Sequence, residues 1–423
     1  MTMKREARAR EDAMDEAARI LEGIRVVDCA TFIAAPVATT VMADFGADVV
    51  KVESPDGDPF RNSWRSPGNP VADVPYNWHV DNRSKRGIAV DLKNEEGRAI
   101  LHRLVERADV FVTNMPLQVR ERLAIRWRDL EPINPRLVYA SVSAYGEAGP
   151  EANRTGFDST ALWARTGLMD LVKPSPDSAP ARSLPAMGDH PSGVSLFAAI
   201  MTALWRRERT GRGGRVSTSL MANGLWWNAI WTQAVLSGAT VRGRPPREEA
   251  TNALHNLYCC RDGRWFHLVL ITQPDRKWPL LVELLEDGEL ARDPRFATEE
   301  LRRANPRPLI EALDRAFARR DWAEWRERLD RAGITYGQVA RIDDVLEDVQ
   351  MKEGGALEPV SDSRIGAEWT VSSPLQVGEG RKAPPRAAPG LGEHTDAVLG
   401  ELGYDEATIA RMTEAGVVVR GGG

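Results

Sequence analysis

The sequence predicts an α/β protein: a doubly wound parallel sheet accompanied by a smaller α+β unit. Three observations carry this. Residues 24–53 read as strand, short turn, helix, glycine, strand, which is one βαβ unit. The same alternation resumes from residue 86 and runs to residue 143. After Asn223 the composition changes to an aromatic helical face, a Gly/Arg/Pro linker and then hairpin-like alternation.

Taken in order, residues 4–21 alternate acidic and basic side chains at helical spacings and predict a charged helical arm ended by Gly23. Ile24-Arg25-Val26-Val27-Asp28 is a short buried strand. Pro36 is placed for the first turn of a helix that runs to about Phe45 and stops at Gly46. Residues 47–53 form the second strand. The unit lacks the G-x-G-x-x-G fingerprint, so no nicotinamide or flavin dinucleotide is expected. Residues 54–82 form a long Pro-, Gly-, Asp- and Trp-containing loop whose apolar content predicts order.

Strands are expected at 86–92, 109–113 and 137–143, with helices at 95–108 and 118–123. In such a sheet ligands bind beyond the carboxyl ends of the strands, here near residues 29–34, 93, 114–115 and 143–146. Residues 257–271 alternate around an Asp262-Gly263 turn, and helices follow at 278–285, 308–318 and 322–332. Helix and strand character returns from Ile342. A Pro/Ala/Arg linker at 383–389 and a helix at 395–402 lead to a glycine-ended tail.

At 423 residues the chain exceeds one hydrophobic core, and its 42% hydrophobic and 28% charged residues are those of a soluble globular protein. A net charge of −5 argues against a general nucleic-acid binder. Cys29, Cys259 and Cys260 have neither disulfide nor zinc-ligand spacing, which predicts a reducing, cytoplasmic setting. No apolar run is long enough for a membrane span.

The stretch Pro185-Ala186-Met187-Gly188-Asp189-His190-Pro191-Ser192-Gly193 precedes a helical run. Backbone N–H groups at a helix start favour an anion. From the residues alone Asp189 is either a capping carboxylate or a carboxylate nucleophile. His190 reads as a loop or capping residue.

Several segments in fixed order resemble the family III CoA-transferases, which also include α-methylacyl-CoA racemases. They are Leu21-Glu22-Gly23-Ile24-Arg25-Val26-Val27-Asp28, the run from Ala43 through Phe45-Gly46-Ala47-Asp48 to Glu53, Lys85-Arg86 with Asp91-Leu92-Lys93, and Ala108 through Asn114. Tyr145-Gly146, Gly156-Phe157-Asp158, Thr210-Gly211-Arg212-Gly213 and Gly392-Glu393-His394-Thr395 follow. The resemblance implies an interlocked homodimer. Each subunit would have a Rossmann-like large domain from both chain ends (residues 21–223 and 342–423), a linker and small domain at 224–341, and an arm at 1–20.

It also implies that Asp189 is the nucleophile, with Asp158 in a structural or pocket role. The reaction expected is transfer of CoA from an acyl-CoA to a carboxylic acid through an aspartyl-CoA thioester, with coenzyme A carried by the substrate and no metal. Asp189 is expected to be ionised at neutral pH, and N–H groups at its helix start to stabilise oxyanions. Thr31, Phe32, Ala34, Val90, Lys93, Asn114, Met115 and Arg122 match CoA contacts, and Tyr145 matches an acyl-site tyrosine. For Val90 and Met115 core packing is the competing reading, and for Lys93 and Arg122 a solvated surface charge.

Racemases carry a histidine where Phe157 stands, so one of two bases is missing for epimerisation. Formyl-CoA transferases carry glutamine, lysine and arginine where Ile33, Ser143 and Ser54 stand, and a glycine run where residues 252–258 lie. Those departures point to a larger and less polar acid; Trp226, Trp227 and Trp231 would suit one too, with core or interface packing as their competing reading. The alternatives are a racemase, an intramolecular CoA-transferase, or a CoA-thioester-binding paralogue without catalysis.

Overall fold

The structure is a computed structural model that describes residues 20–421 apart from residues 379 and 381. Residues 1–19 of the expected arm lie outside the described residues. The chain divides into two compact units, one of Met1–Leu168, Arg182–Ala239 and Val349–Gly423, the other of Met169–Ala181 and Thr240–Asp348.

The larger unit opens with β1 (Arg25–Asp28), α1 (Ala34–Asp44) and β2 (Asp48–Glu53). The 54–82 loop is ordered: it contains a 3-10 turn at Pro59–Arg65 and helix α2 (Tyr76–Asn82). Then come β3 (Arg86–Val90), α3 (Glu95–Arg107), β4 (Val110–Thr113), α4 (Leu117–Arg122) and β5 (Val138–Ser143). A π-helical turn at Asp158–Ala164 precedes the long helix α5 (Asp189–Thr210), which leads into β6 (Gly214–Ser219). Helices α6 (Leu220–Trp227) and α7 (Ala229–Leu236) complete this part.

The smaller unit has a three-stranded antiparallel sheet of β7 (His255–Cys259), β8 (Trp265–Val269) and β9 (Tyr336–Val339). Helices at Pro274–Leu285, Pro306–Phe317 and Trp322–Arg331 pack against it around Phe266, Phe317 and Trp325. The chain returns through the hairpin β10 (Leu357–Pro359) and β11 (Trp369–Val371). The expected 383–389 linker is a fixed strap. Ala383 N–H donates to the Asp44 carbonyl at 2.7 Å, and the Pro389 carbonyl accepts from Trp78 Nε1 at 3.1 Å. Beyond helix α8 (Thr395–Glu401) the tail is not plain coil but a second helix, α9 (Glu406–Glu414), and strand β12 (Val418–Val419).

The large sheet has the order β12-β3-β2-β1-β4-β5-β6, parallel throughout except for β12. Its first six strands follow the doubly wound order in which direction of winding reverses between β1 and β4. Side chains alternate across the sheet: Val26, Val49, Val110 and Val138 face a core shared with α1 and α5. Val27, Val50, Phe111 and Tyr139 face the opposite core, shared with α3, α8 and α9. Both faces are covered, which is why these strands read as unbroken apolar runs.

Helix α5 lies directly on α1 because Gly193 has no side chain. A Cβ there would stand 2.5 Å from a Val37 methyl and 2.8 Å from the Ala34 carbonyl oxygen. Gly193→Ala should therefore lower stability by about 1–3 kcal/mol. Reversible denaturant unfolding should show a lower midpoint, and an unchanged midpoint would mean that the two helices are not held at this spacing.

Candidate active site

The reversal of winding between β1 and β4 opens the carboxyl edge of the sheet there, and two loops meet across it. Asn114, just past β4, accepts the Thr31 N–H at 2.9 Å and donates from Nδ2 to the Thr31 carbonyl at 2.6 Å. The next residue, Phe32, has a left-handed φ of 59°, which a non-glycine residue adopts only under constraint. The constraint is visible: Asp58 Oδ1 accepts the Phe32 N–H at 3.2 Å, and Lys51 Nζ holds Asp58 Oδ2 at 3.2 Å. Lys51 and Asp58 are fully buried, and Lys51 also donates to the Ala30 carbonyl at 2.8 Å.

Helix α5 begins at Asp189, after a turn in which Ala186 has a φ of 68°. The Ala186 carbonyl accepts the N–H groups of both Asp189 (3.1 Å) and His190 (3.2 Å). Gly188 donates its N–H to Asp158 Oδ2 at 3.1 Å, and Asp158 Oδ1 accepts the N–H of Ser159. A Cβ on Gly188 would stand 2.9 Å from both the Asp158 Cβ and a Leu162 methyl, so Asp158 and the turn fit only with glycine here. The expectation of free N–H groups at this helix start is thus corrected. Gly188, Asp189 and His190 have all spent theirs inside the turn, which leaves those donors unavailable to a developing oxyanion.

Asp189 is partly buried. Among the described residues no group donates a hydrogen bond to its carboxylate, and its environment acts through burial and charge alone. Burial and then the Asp158 charge push it up to about 7, Asp81 adds to this, and His190 opposes it. This environment works against the full ionisation expected at neutral pH.

His190 is not simply a capping residue. Its Nε2 lies 2.9 Å from Asp81 Oδ1 and its Nδ1 lies 3.1 Å from the Ala186 carbonyl. Desolvation opposes its charge, but the hydrogen bond to Asp81 and the Asp81 charge outweigh it and raise the ring to about 9. Asp81 was not legible as a site residue. It lies 109 positions before His190, on α2, and no local spacing joins them.

The family model for CoA-transferase family III matches residues 21–395. The chain belongs to CoA-transferase family III. It is 30% identical over 406 residues to (R)-2-hydroxy-4-methylpentanoate CoA-transferase of Clostridioides difficile, covering 94% of this chain and 99% of that one. It is 31% identical over 416 residues to formyl-CoA:oxalate CoA-transferase of Streptomyces coelicolor, covering 95% and 100%. A CAIB/BAIF family protein from Brucella suis has the same fold, with a TM-score of 0.81 and 30% identity over 91% of this chain and 100% of that one. The protein is accordingly an enzyme that takes acyl-CoA as substrate.

Within this CoA-transferase, Thr31, Phe32, Asn114 and Met115 lie together at the carboxyl ends of β1 and β4, and Ala34 opens α1 beside them. Met115 packs partly against the core, and Arg120 Nε holds its carbonyl at 2.5 Å. Val90 is a core side chain with 1% exposure, in β3 opposite Val418, so any contact it makes to a ligand is through backbone. Lys93 and Arg122 are exposed cations, one past β3 and one ending α4. Tyr145 is buried beyond β5, with the Arg154 guanidinium 5.1 Å from its ring centre. Phe157 is exposed and meets the Phe32 ring edge-on at 5.6 Å.

Buried Cys29 has its thiol pushed up to about 12, first by burial and then by the Asp28 charge, so it is no nucleophile near neutral pH. Among the described residues no cluster of three or more His, Cys, Asp or Glu could hold a metal, and no helix is long and apolar enough to cross a membrane.

Removing the Asp158 charge should bring Asp189 back toward an ordinary carboxyl. In Asp158→Asn, which keeps an acceptor for only one of its two N–H partners, a stability loss of about 1–3 kcal/mol is expected. Asp189, followed by carbon-13 NMR of labelled aspartate side chains, should titrate below its wild-type midpoint. A midpoint that stays put or rises would show that Asp158 does not set it.

Proposed function

We propose that the enzyme moves CoA from an acyl-CoA thioester to a carboxylic acid through a covalent aspartyl-CoA thioester on Asp189. The observation that carries this reading is the Asp189 carboxylate. It is unpartnered among the described residues and set in a turn whose N–H groups at positions 188–190 are already engaged. A carboxylate with no hydrogen-bond donor keeps its lone pairs for attack.

In the ionised form Asp189 attacks the donor's thioester carbonyl, and the C–S bond breaks to give a mixed anhydride and CoA thiolate. The thiolate attacks the aspartyl carbonyl and expels the donor's carboxylate, leaving the aspartyl-CoA thioester. An acceptor carboxylate then attacks the same carbonyl and releases the thiolate. Attack of the thiolate on the acceptor's carbonyl forms the new acyl-CoA and restores Asp189. Each step exchanges one acyl bond for another, so no ATP is consumed. A carboxyl midpoint near neutrality is compatible with this, because the protonated fraction is withdrawn reversibly as the ionised form reacts.

Phe157 weighs against the racemase reading, since a phenyl ring cannot exchange a proton with the α-carbon. The exposed Phe32 and Phe157 rings offer an apolar wall near Asp158 and favour acids larger and less polar than oxalate. The Thr31 and Asn114 loops are the proposed seat of the pantetheine, and Lys93 and Arg122 are its proposed phosphate contacts.

The assembly proposed with this chemistry is the homodimer. Helices α6 and α7 expose Trp226 (79%), Ile230 (84%) and Leu236 (75%), a contiguous run of large apolar side chains that a second copy would cover. Trp226→Asp together with Ile230→Asp should halve the mass measured by light scattering. A wild-type mass equal to one chain's would remove the dimer proposal.

The chemistry is tested by intact-protein mass spectrometry after mixing with formyl-, acetyl-, succinyl- and cinnamoyl-CoA without acceptor. A CoA adduct that hydroxylamine releases should map to Asp189. Asp189→Asn should form none and should transfer CoA at a rate on the order of 10³-fold lower or less. Full activity in that variant, or an adduct mapped to another residue, would falsify the nucleophile assignment.

A further inference from the structure

Three carboxylates, Asp81, Asp158 and Asp189, converge on the turn that begins α5, and His190 stands among them. Its ring faces acceptors on both sides. Nε2 meets the carboxylate of Asp81, 3% exposed, at 2.9 Å, and Nδ1 meets the Ala186 carbonyl at 3.1 Å. A neutral imidazole has one N–H and would turn a lone pair toward one of these oxygens, whereas an imidazolium donates to both. We propose that His190 is held as an imidazolium by Asp81 and is the counter-charge that favours the ionised form of Asp189. It is a positioning residue that acts through Asp189.

The inference rests on the reading of Asp189 as nucleophile and adds what favours the reactive form of that nucleophile. The groups that face the pair can be named from each neighbouring element. Asp81 comes from α2, Asp158 from the π-helical turn and Asp189 from α5 itself. Lys85, which follows α2, reaches the Asp81 carbonyl at 2.9 Å. From α1 comes the neutral hydroxyl of Thr40, which donates to the same carbonyl.

Lys85 is not a substitute cation for Asp189. Its ammonium is shared among Asp28 Oδ2, the Pro36 and Asp81 carbonyls and Asn82 Oδ1, at 2.9 to 3.0 Å. Among the described residues, His190 is the charge that acts on Asp189 in the ionising direction, against Asp158 and Asp81. The sign is fixed by this arrangement. Losing the imidazolium leaves Asp189 with carboxylates only, so a higher pH is needed to ionise it.

Two variants separate charge from position. His190→Gln retains an N–H donor that reaches toward Asp81 but has no charge; His190→Ala has neither. With aspartate carboxyls labelled with carbon-13, the Asp189 signal is the one missing from Asp189→Asn. The wild-type chain should titrate near neutrality, and both His190 variants should titrate higher by about half a pH unit or more. If only the alanine variant moves, His190 merely positions the turn, and the inference is overturned. It is equally overturned if neither moves.

A second measurement needs no substitution. Nitrogen-15 NMR of the wild-type ring should show both ring nitrogens protonated at pH 7.5, and a neutral tautomer there sinks the idea. These outcomes are separate from the parent reading: a CoA adduct on another residue overturns the nucleophile while leaving the ionisation result standing.

Discussion

The large unit is organised around one buried ammonium. Lys85, without solvent exposure, reaches Asp28 at the end of β1, the Pro36 carbonyl in the first turn of α1, and the Asp81 carbonyl and Asn82 side chain at the end of α2. Burial alone pulls its charge down, and the Asp28 carboxylate restores part of it, leaving the group at about 8. Removing one partner of such a pair leaves a buried charge without compensation, which typically costs about 3–5 kcal/mol. That constraint fixes where α2 sits against β1 and α1. It thereby fixes where Asp81 stands when α5 arrives on the same face of the sheet.

The consequences reach the carboxyl edge of the sheet by two routes. On one side, Asp81 receives His190 and so anchors the first turn of α5 to α2. On the other, the Lys51–Asp58 pair and Asn114 hold the Thr31 and Phe32 backbone in a conformation it would not adopt free. Asp189, at the start of α5, is pushed up by burial and Asp158. The site therefore balances opposed charges instead of presenting a plain surface carboxylate.

The return segment is tied into the same unit. The strap from residue 383 to residue 389 hydrogen-bonds to α1, to α2 and to the 3-10 turn through Asp44, His79 and Arg61. Its prolines read as a linker because they cannot donate to a ladder. Here they hold an extended path whose carbonyls are used by neighbours. The α9 helix and β12 strand were hidden for a related reason. A two-residue antiparallel strand has no periodicity of its own and is defined only by its register on Val90 and Ala89.

By itself the sequence determined the βαβ alternation, the hairpin at Asp262-Gly263 and the helix that starts at Asp189. Those features are local, set by side-chain period, by turn residues and by helix ends. It also carried the ordered segments on which the family resemblance rests. Tertiary structure alone decided that burial and Asp158 push the Asp189 carboxyl up, that the N–H groups beside it are spent, and that Val90 is core. It alone brought Asp81 to His190 across 109 positions. The reason is physical: ionisation and hydrogen-bond satisfaction depend on which groups from distant segments share one desolvated volume, and no spacing along the chain encodes that.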